Sequence, residues 1–432
     1  MYIIYGGKKM KRLQILISII LIVGLLFLSS LVSFAQVNEE QYKKALVGSL
    51  EERWGLIVDQ AKKEGKVDFT MWGGNAVINE WVDTYVAGRM KQLYGITVER
   101  TPMAAPDFIN KLLAEKQAEV KIGTIDLLWI NGENFYTAMK NELLWGPFTY
   151  NLPNFLKYCN PNAPDIAYDF GYPTLGYEAP YTRAQLNFTY DSARIKNPPK
   201  NLDELTKWIK DHPGRFTYPA PPDFTGSTFV KTIFYHTNKT GGYQAFLGDE
   251  FKEKLLKDSW GPTWEWFNEI KPYLWRKGET YPASKSLLNT MFAQGEVDFT
   301  MANGPSNTAV MITRGKFPPT ARPMVLEEGT IGNANFTAIA SNAPHKAAAM
   351  VLSNFLISPE CQINQADPKI RGDLLGIEYS KLSAEDKAKY NRIEFGPACL
   401  SEDFLSSRRL PEIGSKYLFA IEEAWTKYVL KK

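Results

Sequence analysis

Four short polar segments in this 432-residue chain carry side chains able to hold a small ligand, and each follows an apolar run of strand character. Trp72-Gly73-Gly74-Asn75 follows Val67 to Met71, and Asn131-Gly132-Glu133-Asn134 follows Ile125 to Ile130. Asp223-Phe224-Thr225-Gly226-Ser227-Thr228 comes after Arg215 to Tyr218, and Asn303-Gly304-Pro305-Ser306 after Val297 to Met301. Asn and Glu offer donors and acceptors, and Gly lets backbone approach a ligand closely. Asp, Thr and Ser at a helix N-terminus add free amides and hydroxyls. Trp72 and Tyr181 are the aromatics nearest these segments; Trp72 runs into a Gly-Gly turn, where an indole can face a cleft. With Glu133 beside it, this is a recipe for a cation held by ion pairing and ring contact. Trp72 and Trp129 with Asn and Asp would equally suit a sugar. Each segment alone reads as an ordinary turn, and most of the 11 Trp and 22 Tyr must be core. Recurrence at four strand ends favours ligand binding, because ligands of parallel α/β sheets sit at that edge.

Other chemistries start with few parts. His212, His236 and His345 are the only histidines and are far apart, and there is no H-E-x-x-H, P-loop, G-x-S-x-G or G-x-G-x-x-G. Cys159, Cys361 and Cys399 form no C-x-x-C pair; a Cys361–Cys399 bridge and three free thiols are both compatible with the sequence. No catalytic residue, metal or cofactor is expected. A secreted carbohydrate-active enzyme is the rival class, but it needs paired carboxylates about 5 or 7 to 10 Å apart. Only Glu133 and Asp223 stand at strand ends.

The first 35 residues place the protein. Lys8, Lys9, Lys11 and Arg12 precede an apolar run from Leu13 to Leu28, and Ser33-Phe34-Ala35 supplies small residues for cleavage. The run is shorter than the ~20 residues a spanning helix needs, so it reads as a cleavable secretory signal over 1–35 rather than an anchor. Translation could start at Met1 or Met10. Without the leader 46 basic residues face 47 acidic ones. A near-neutral chain excludes the basic surface of a nucleic-acid binder and a polybasic membrane patch. The residues that remain exceed one ordinary domain and predict two lobes.

The elements that must position the segments follow from periodicity. After an amphipathic stretch at Leu46 to Ile57 and the strand at Val67, a helix carries Val77, Ile78, Trp81, Val82, Tyr85, Val86, Met90 and Leu93 on one face. A strand at Ile96 to Arg100, a helix from Asp107 and the strand at Ile125 complete a parallel strand-helix-strand-helix-strand unit. A second unit opens with a strand at Leu186 to Tyr190 and a helix at Asn201, where Asn201 and Glu204 make a capping box and Leu202, Leu205, Trp208 and Ile209 a buried stripe. A strand at Arg215 to Tyr218 and a Trp-rich helical region at Trp260 to Trp275 follow. Val297-Asp298-Phe299-Thr300-Met301 repeats the pentapeptide at 67 to 71 and again enters a polar turn.

Asn197-Pro198-Pro199-Lys200-Asn201-Leu202-Asp203-Glu204-Leu205, Gly295 to Pro305, and the helix at Lys346 to Ile357 before Ser358-Pro359-Glu360 resemble the extracellular solute-binding proteins of ABC importers. That group includes maltose-, polyamine-, iron- and thiamine-binding members. Asp126 to Phe135, Gly146-Pro147-Phe148, Glu178-Ala179-Pro180-Tyr181, Pro213 to Pro219 and Gly329 to Asn333 are similar to one bacterial subgroup of it, over roughly 66 to 400. Asn75 departs from the pattern, where Asp is as common.

The resemblance implies an α/β fold of the periplasmic-binding-protein type II, two lobes joined by three hinge crossings near Pro180, Asn303 to Pro305 and Asn335 to Ala338. Lobe one would be 37–180 plus 306–335, and lobe two 181–305 plus 336–432. The ligand-facing set is Trp72, Gly73, Gly74, Asn75, Asn131, Glu133, Asn134, Tyr181, Asp223, Thr225, Ser227, Asn303, Asn333 and Asn335. The implied function is that of a periplasmic, monomeric binding component that closes on a solute and delivers it to a membrane permease and its ATPase. Iron-binding relatives use neighbouring tyrosines, and no Tyr-Tyr pair occurs here. A thiamine- or polyamine-like cation is the expected ligand, with a sugar as the alternative.

Overall fold

The computed structural model describes residues 49–73, 76–248 and 250–431. The leader at 1–35 and the site candidates Gly74 and Asn75 lie outside the described residues. The sheets and hollows described below all belong to the unit Ile57–Lys432.

The expected parallel unit is present. Lys66–Met71 pairs in parallel with Thr97–Pro102 on one side and Leu127–Ile130 on the other. Helix Ala105–Gln117 buries Phe108, Ile109 and Leu112. The first helical segment buries Trp81, Val82, Val86 and Met90 but leaves Val77 and Leu93 exposed at its ends. Its middle, Val82–Val86, is a widened π turn, which moves the later residues off the straight 3.6-residue stripe.

This unit continues into antiparallel partners. Phe336 to Ile339 pair with Ile130 to Leu127, and Gly332 to Asn335 of the same long strand, Thr330–Ala340, pair with Gln185 to Thr182 of strand Ala179–Gln185. A second, three-stranded antiparallel sheet places Asn187–Asp191 between Ala321–Met324 and Phe299–Ala302. Around it lies an aromatic core that includes Phe188, Phe216, Tyr218, Phe229, Phe267 and Phe299. The molecule is thus a two-lobed α/β fold, a sheet and its helices in each lobe.

Strand pairing does not follow the expected division of the chain. Ala321–Met324 pairs within the small sheet, where the expected division puts 306–335 in lobe one, and 336–339 pairs within the large sheet, where it puts 336–432 in lobe two. The turn at Asn303 to Pro305 is not a passage between sheets, since Ala321–Met324 beyond it rejoins the sheet that Phe299–Ala302 left. The passages visible in the strands are at Leu186, between Gln185 and Asn187, and between Met324 and Thr330. Local periodicity cannot distinguish these divisions, because it is blind to which strand a segment joins.

Arg215 to Tyr218 is extended but forms no ladder. Two of its carbonyls accept outside amides, Arg215 O from Asp298 N and Phe216 O from Trp275 N, and Phe216 and Tyr218 are buried. Asn201 caps the helix as expected, its side chain accepting from Glu204 N at 2.8 Å, but the Glu204 carboxylate reaches back to Lys200 N at 2.9 Å, one residue before the N–H that a capping box engages.

Candidate functional site

Trp72 follows the next-to-edge strand of the large sheet, Lys66–Met71, with 52% of its surface open, although most Trp in the chain are buried or partly buried. Its ring meets Trp129 edge-on at 6.4 Å, and Trp129 meets Tyr181 edge-on at 5.5 Å. Three strands therefore contribute one ring each to a continuous aromatic run, in the offset geometry that ring quadrupoles favour. Beside it lies a hollow of about 290 Å³ lined by Trp72, Ala105, Phe108, Trp129, Asn131 and Asn335. Asn131 donates to Asn335 Oδ1 at 3.3 Å, so the two amides share one edge of the hollow and leave further donor and acceptor positions for a guest. Asn333 stands two residues earlier on the strand, on the same face as Asn335.

Gly73 has no room for a side chain: a Cβ there would sit 2.8 Å from Pro102 Cβ. Its carbonyl accepts from Asn79 at 2.9 Å, which ties the turn after Trp72 to the following helix.

Tyr181 is buried, and burial pushes its hydroxyl far above the ordinary phenol range, so it stays neutral. The same hydroxyl faces Arg371. That guanidinium stacks on Trp81 at 4.4 Å, is ion-paired to Asp373 and reaches Gln365 at 3.2 Å. Arg371 also lines a larger hollow of about 700 Å³ with Ala76, Val77, Ile78, Val310, Arg314 and Lys369. The residues lining it come from the segment after the first strand of the large sheet, from the helix after the last-but-one strand of the small sheet, and from the 368–373 loop.

Other expected residues are placed elsewhere. Glu133 starts helix Glu133–Lys140 and lines a separate hollow of about 160 Å³ with Tyr136, Phe170, Tyr172, Phe251 and Phe419, apart from Trp72. Asn134 beside it is half-buried and lines neither hollow. Asp223 caps helix Phe224–Thr237: one oxygen accepts Thr225 N and Gly226 N at 3.0 and 3.1 Å, the other Lys285 N at 3.1 Å. Thr225 accepts from Asn303 at 3.0 Å, and Ser227 donates to Glu422 at 2.5 Å. The structure thus brings together Trp72, Asn131, Tyr181 and Asn335, and gives Asp223, Thr225, Ser227 and Asn303 protein partners. Trp129, which the sugar reading pairs with Trp72, also lines the hollow, as does Phe108, whose helical spacing with Ile109 and Leu112 reads as core in the sequence. Arg371 and Arg314 carried no signal, since neither stands at a strand end.

The cysteines are free, with Cys159 and Cys361 buried. Burial pushes the Cys159 thiol up to about 12, which removes the reactive thiolate at neutral pH. His345 contacts Asp126 at 2.9 Å, His212 stacks on Trp208 at 4.4 Å, and burial lowers the His236 pKa. Among the described residues no group of three His, Cys, Asp or Glu is arranged to hold a metal, and no helix is long and apolar enough to cross a membrane.

Residues 84–374 match the family profile described as bacterial extracellular solute-binding protein. The chain is 34% identical over 331 residues to Protein YnjB of Escherichia coli (strain K12), covering 76% of this chain and 84% of that one. Its fold is similar to a crystal structure of a putative extracellular solute-binding protein from Bordetella parapertussis, with TM-score 0.63 and 12% identity over 85% of this chain and 99% of that one. It is also similar to the spermidine/putrescine ABC transporter substrate-binding protein PotD of Streptococcus pneumoniae, with TM-score 0.57 and 13% identity over 84% and 98% of the two chains.

Proposed function

The chain belongs to the bacterial extracellular solute-binding proteins, and from that premise we propose that it captures a small, ring-bearing organic solute on the Trp72–Trp129–Tyr181 run and hands it to a membrane permease. As a substrate-binding component of an ABC transporter it acts outside the cytoplasm, on a small-molecule solute, together with permease components. Its family and fold are those of solute-binding proteins, which are not enzymes. The finer reading is a monomer exported by the 1–35 leader to the periplasm and coupled to an inner-membrane permease and its ATPase.

The observation that carries the ligand reading is the half-open indole of Trp72, T-shaped against Trp129 beside the amides of Asn131 and Asn335. A large apolar face left in water costs free energy that a stacked guest recovers. Two lobes, one on the large sheet and one on the small, would be linked by the strands Ala179–Gln185 and Thr330–Ala340. Closure about them would bring contacts from the small-sheet lobe onto a solute resting on Trp72, which is what makes the closed state favourable.

The charge of the solute follows from what lines the hollows. Glu133 lines a different hollow from Trp72, and Asp223 is occupied as a helix cap. The charged residues lining the hollow that adjoins Tyr181 are Arg314, Lys369, Arg371 and Asp373; Asp373 pairs with Arg371 and Lys369 with Glu394 at 2.8 Å, which leaves Arg314 without an ion pair among the described residues. This lining favours a neutral or anionic group on the solute over the cation expected from sequence.

Mass spectrometry of the solute released by denaturing protein purified from its native host tests this. A ring-bearing neutral or anionic compound that rebinds is the expected result. A linear polyamine that rebinds stoichiometrically would overturn the ligand reading while leaving the transport reading intact.

A further inference from the structure

Asp169 and Glu178 are buried carboxyl groups, 1% and 2% exposed, that interact with each other. An ionised carboxylate can only accept. Asp169 Oδ2 accepts Gly132 N at 2.5 Å, but Asp169 Oδ1 and both Glu178 oxygens meet no N–H or O–H donor among the described residues. Two acceptors facing each other in a dry interior repel unless one supplies a proton.

The surrounding groups do not supply one. Glu412 adds a third acidic group near Asp169. The buried Lys231 ammonium is committed to Glu412 at 2.6 Å, and Ile413 N donates to the same oxygen at 2.9 Å. The Tyr235 hydroxyl lies near Glu412 and has no hydrogen-bond partner among the described residues. Lys231 also stands 6.0 Å from the Phe170 ring, next in sequence to Asp169.

We propose that Asp169 and Glu178 share one proton at neutral pH and that this acid–carboxylate pair positions the Asn131–Gly132–Glu133 loop through the Gly132 amide. The inference rests on the reading of Asn131 as part of the solute site, and it makes Asp169 and Glu178 positioning residues. Gly132 has φ +64°, which favours glycine, and it lies beside the Phe170 ring, next in sequence to Asp169. The neighbouring residue Asn131 lines the hollow beside Trp72. The position of its amide thus depends on the Asp169 carboxyl one residue away.

The sign of the pH dependence follows. Burial, with the mutual repulsion acting on Glu178, raises both groups well above the ordinary carboxylate range in the folded protein. A raised acid stabilises the fold fully below its unfolded value near ~4 and loses that stabilisation as pH rises through the folded value. Alkaline pH should therefore loosen the loop.

The test uses the full mature chain without added solute. Infrared difference spectra between wild type and Glu178→Gln should show a protonated carboxyl C=O band at neutral pH in wild type only. Gly132 amide exchange, corrected for its intrinsic pH dependence, should speed up by about tenfold or more in wild type as the pair ionises. In Glu178→Gln, whose amide donates to Asp169 at every pH, exchange should stay slow throughout. Absence of the carboxyl band, also from the neutral-minus-alkaline difference spectrum of wild type alone, overturns the shared proton, and the wild-type spectrum needs no variant to fold. The same corrected exchange profile in wild type and Glu178→Gln overturns the positioning role. Failure of Trp72 to contact the released solute would instead sink the proposed function and leave both of these results standing.

Discussion

Replacing Trp72 by Ala separates binding from folding, because the ring contributes little to the core. Its firm contact within the run is the T-shaped one with Trp129, worth ~0.5 to 1.5 kcal/mol to folding. The open 52% is what a solute can cover. Taking ~200 to 250 Å² for a whole indole side chain and one covered face of about half the open part, ~50 to 65 Å² leaves water at ~25 cal/mol/Å², or ~1.5 kcal/mol. Adding ~0.5 to 1.5 kcal/mol for ring geometry predicts a loss of ~2 to 3 kcal/mol, roughly 30- to 150-fold in Kd. The assay is calorimetric titration with the solute released from native protein, alongside thermal unfolding of both proteins. An affinity within about threefold of wild type, with the fold intact, would refute the reasoning, since no stacked guest could lose so little.

Glu133→Gln should leave that affinity within about twofold, because Glu133 lines a different hollow; a loss of tenfold or more by the same titration would restore the cation reading. Lys231→Met leaves Glu412 buried without its ammonium, and denaturant unfolding should show a loss of ~3 to 5 kcal/mol; a loss below ~1 kcal/mol would mean that the pair is solvated. Gly226→Ala would place a Cβ 2.1 Å from the Pro219 carbonyl oxygen, so the start of helix Phe224–Thr237 must shift, at a cost of ~1 to 3 kcal/mol in the same assay. Small-angle scattering should show the radius of gyration contracting when the released solute is added; an unchanged radius with confirmed binding would exclude lobe closure.

Residue types and spacing made much of this protein legible in advance. The period-2 and period-3.6 patterns around Val67, Asp107 and Ile125 specify a parallel unit, because each short element buries one face whatever its neighbours are. Asn201 and Glu204 marked a helix start, since capping is settled within four residues. Trp72 stood out because a Gly-Gly turn follows it, and it remains half-open.

Partners distant in sequence were decided only by the tertiary structure. Asp223 looks like a ligand group until the fold brings Lys285 N to its second oxygen. Glu133 and Trp72 occupy similar places after their strands, yet the helix starting at Glu133 carries its carboxylate into another hollow. Which sheet received 321–324 and 336–339 depended on long-range pairing, a choice between alternatives of equal local pattern. The same holds for Asp169 and Glu178. The sequence shows two ordinary acids nine residues apart, and only burial against one another without a donor turns them into a proton-sharing pair, because the cost of a charge is set by its surroundings. The sequence by itself determined the element types and the strand-end polar loops; the tertiary structure decided which of those polar groups remained free to meet a ligand.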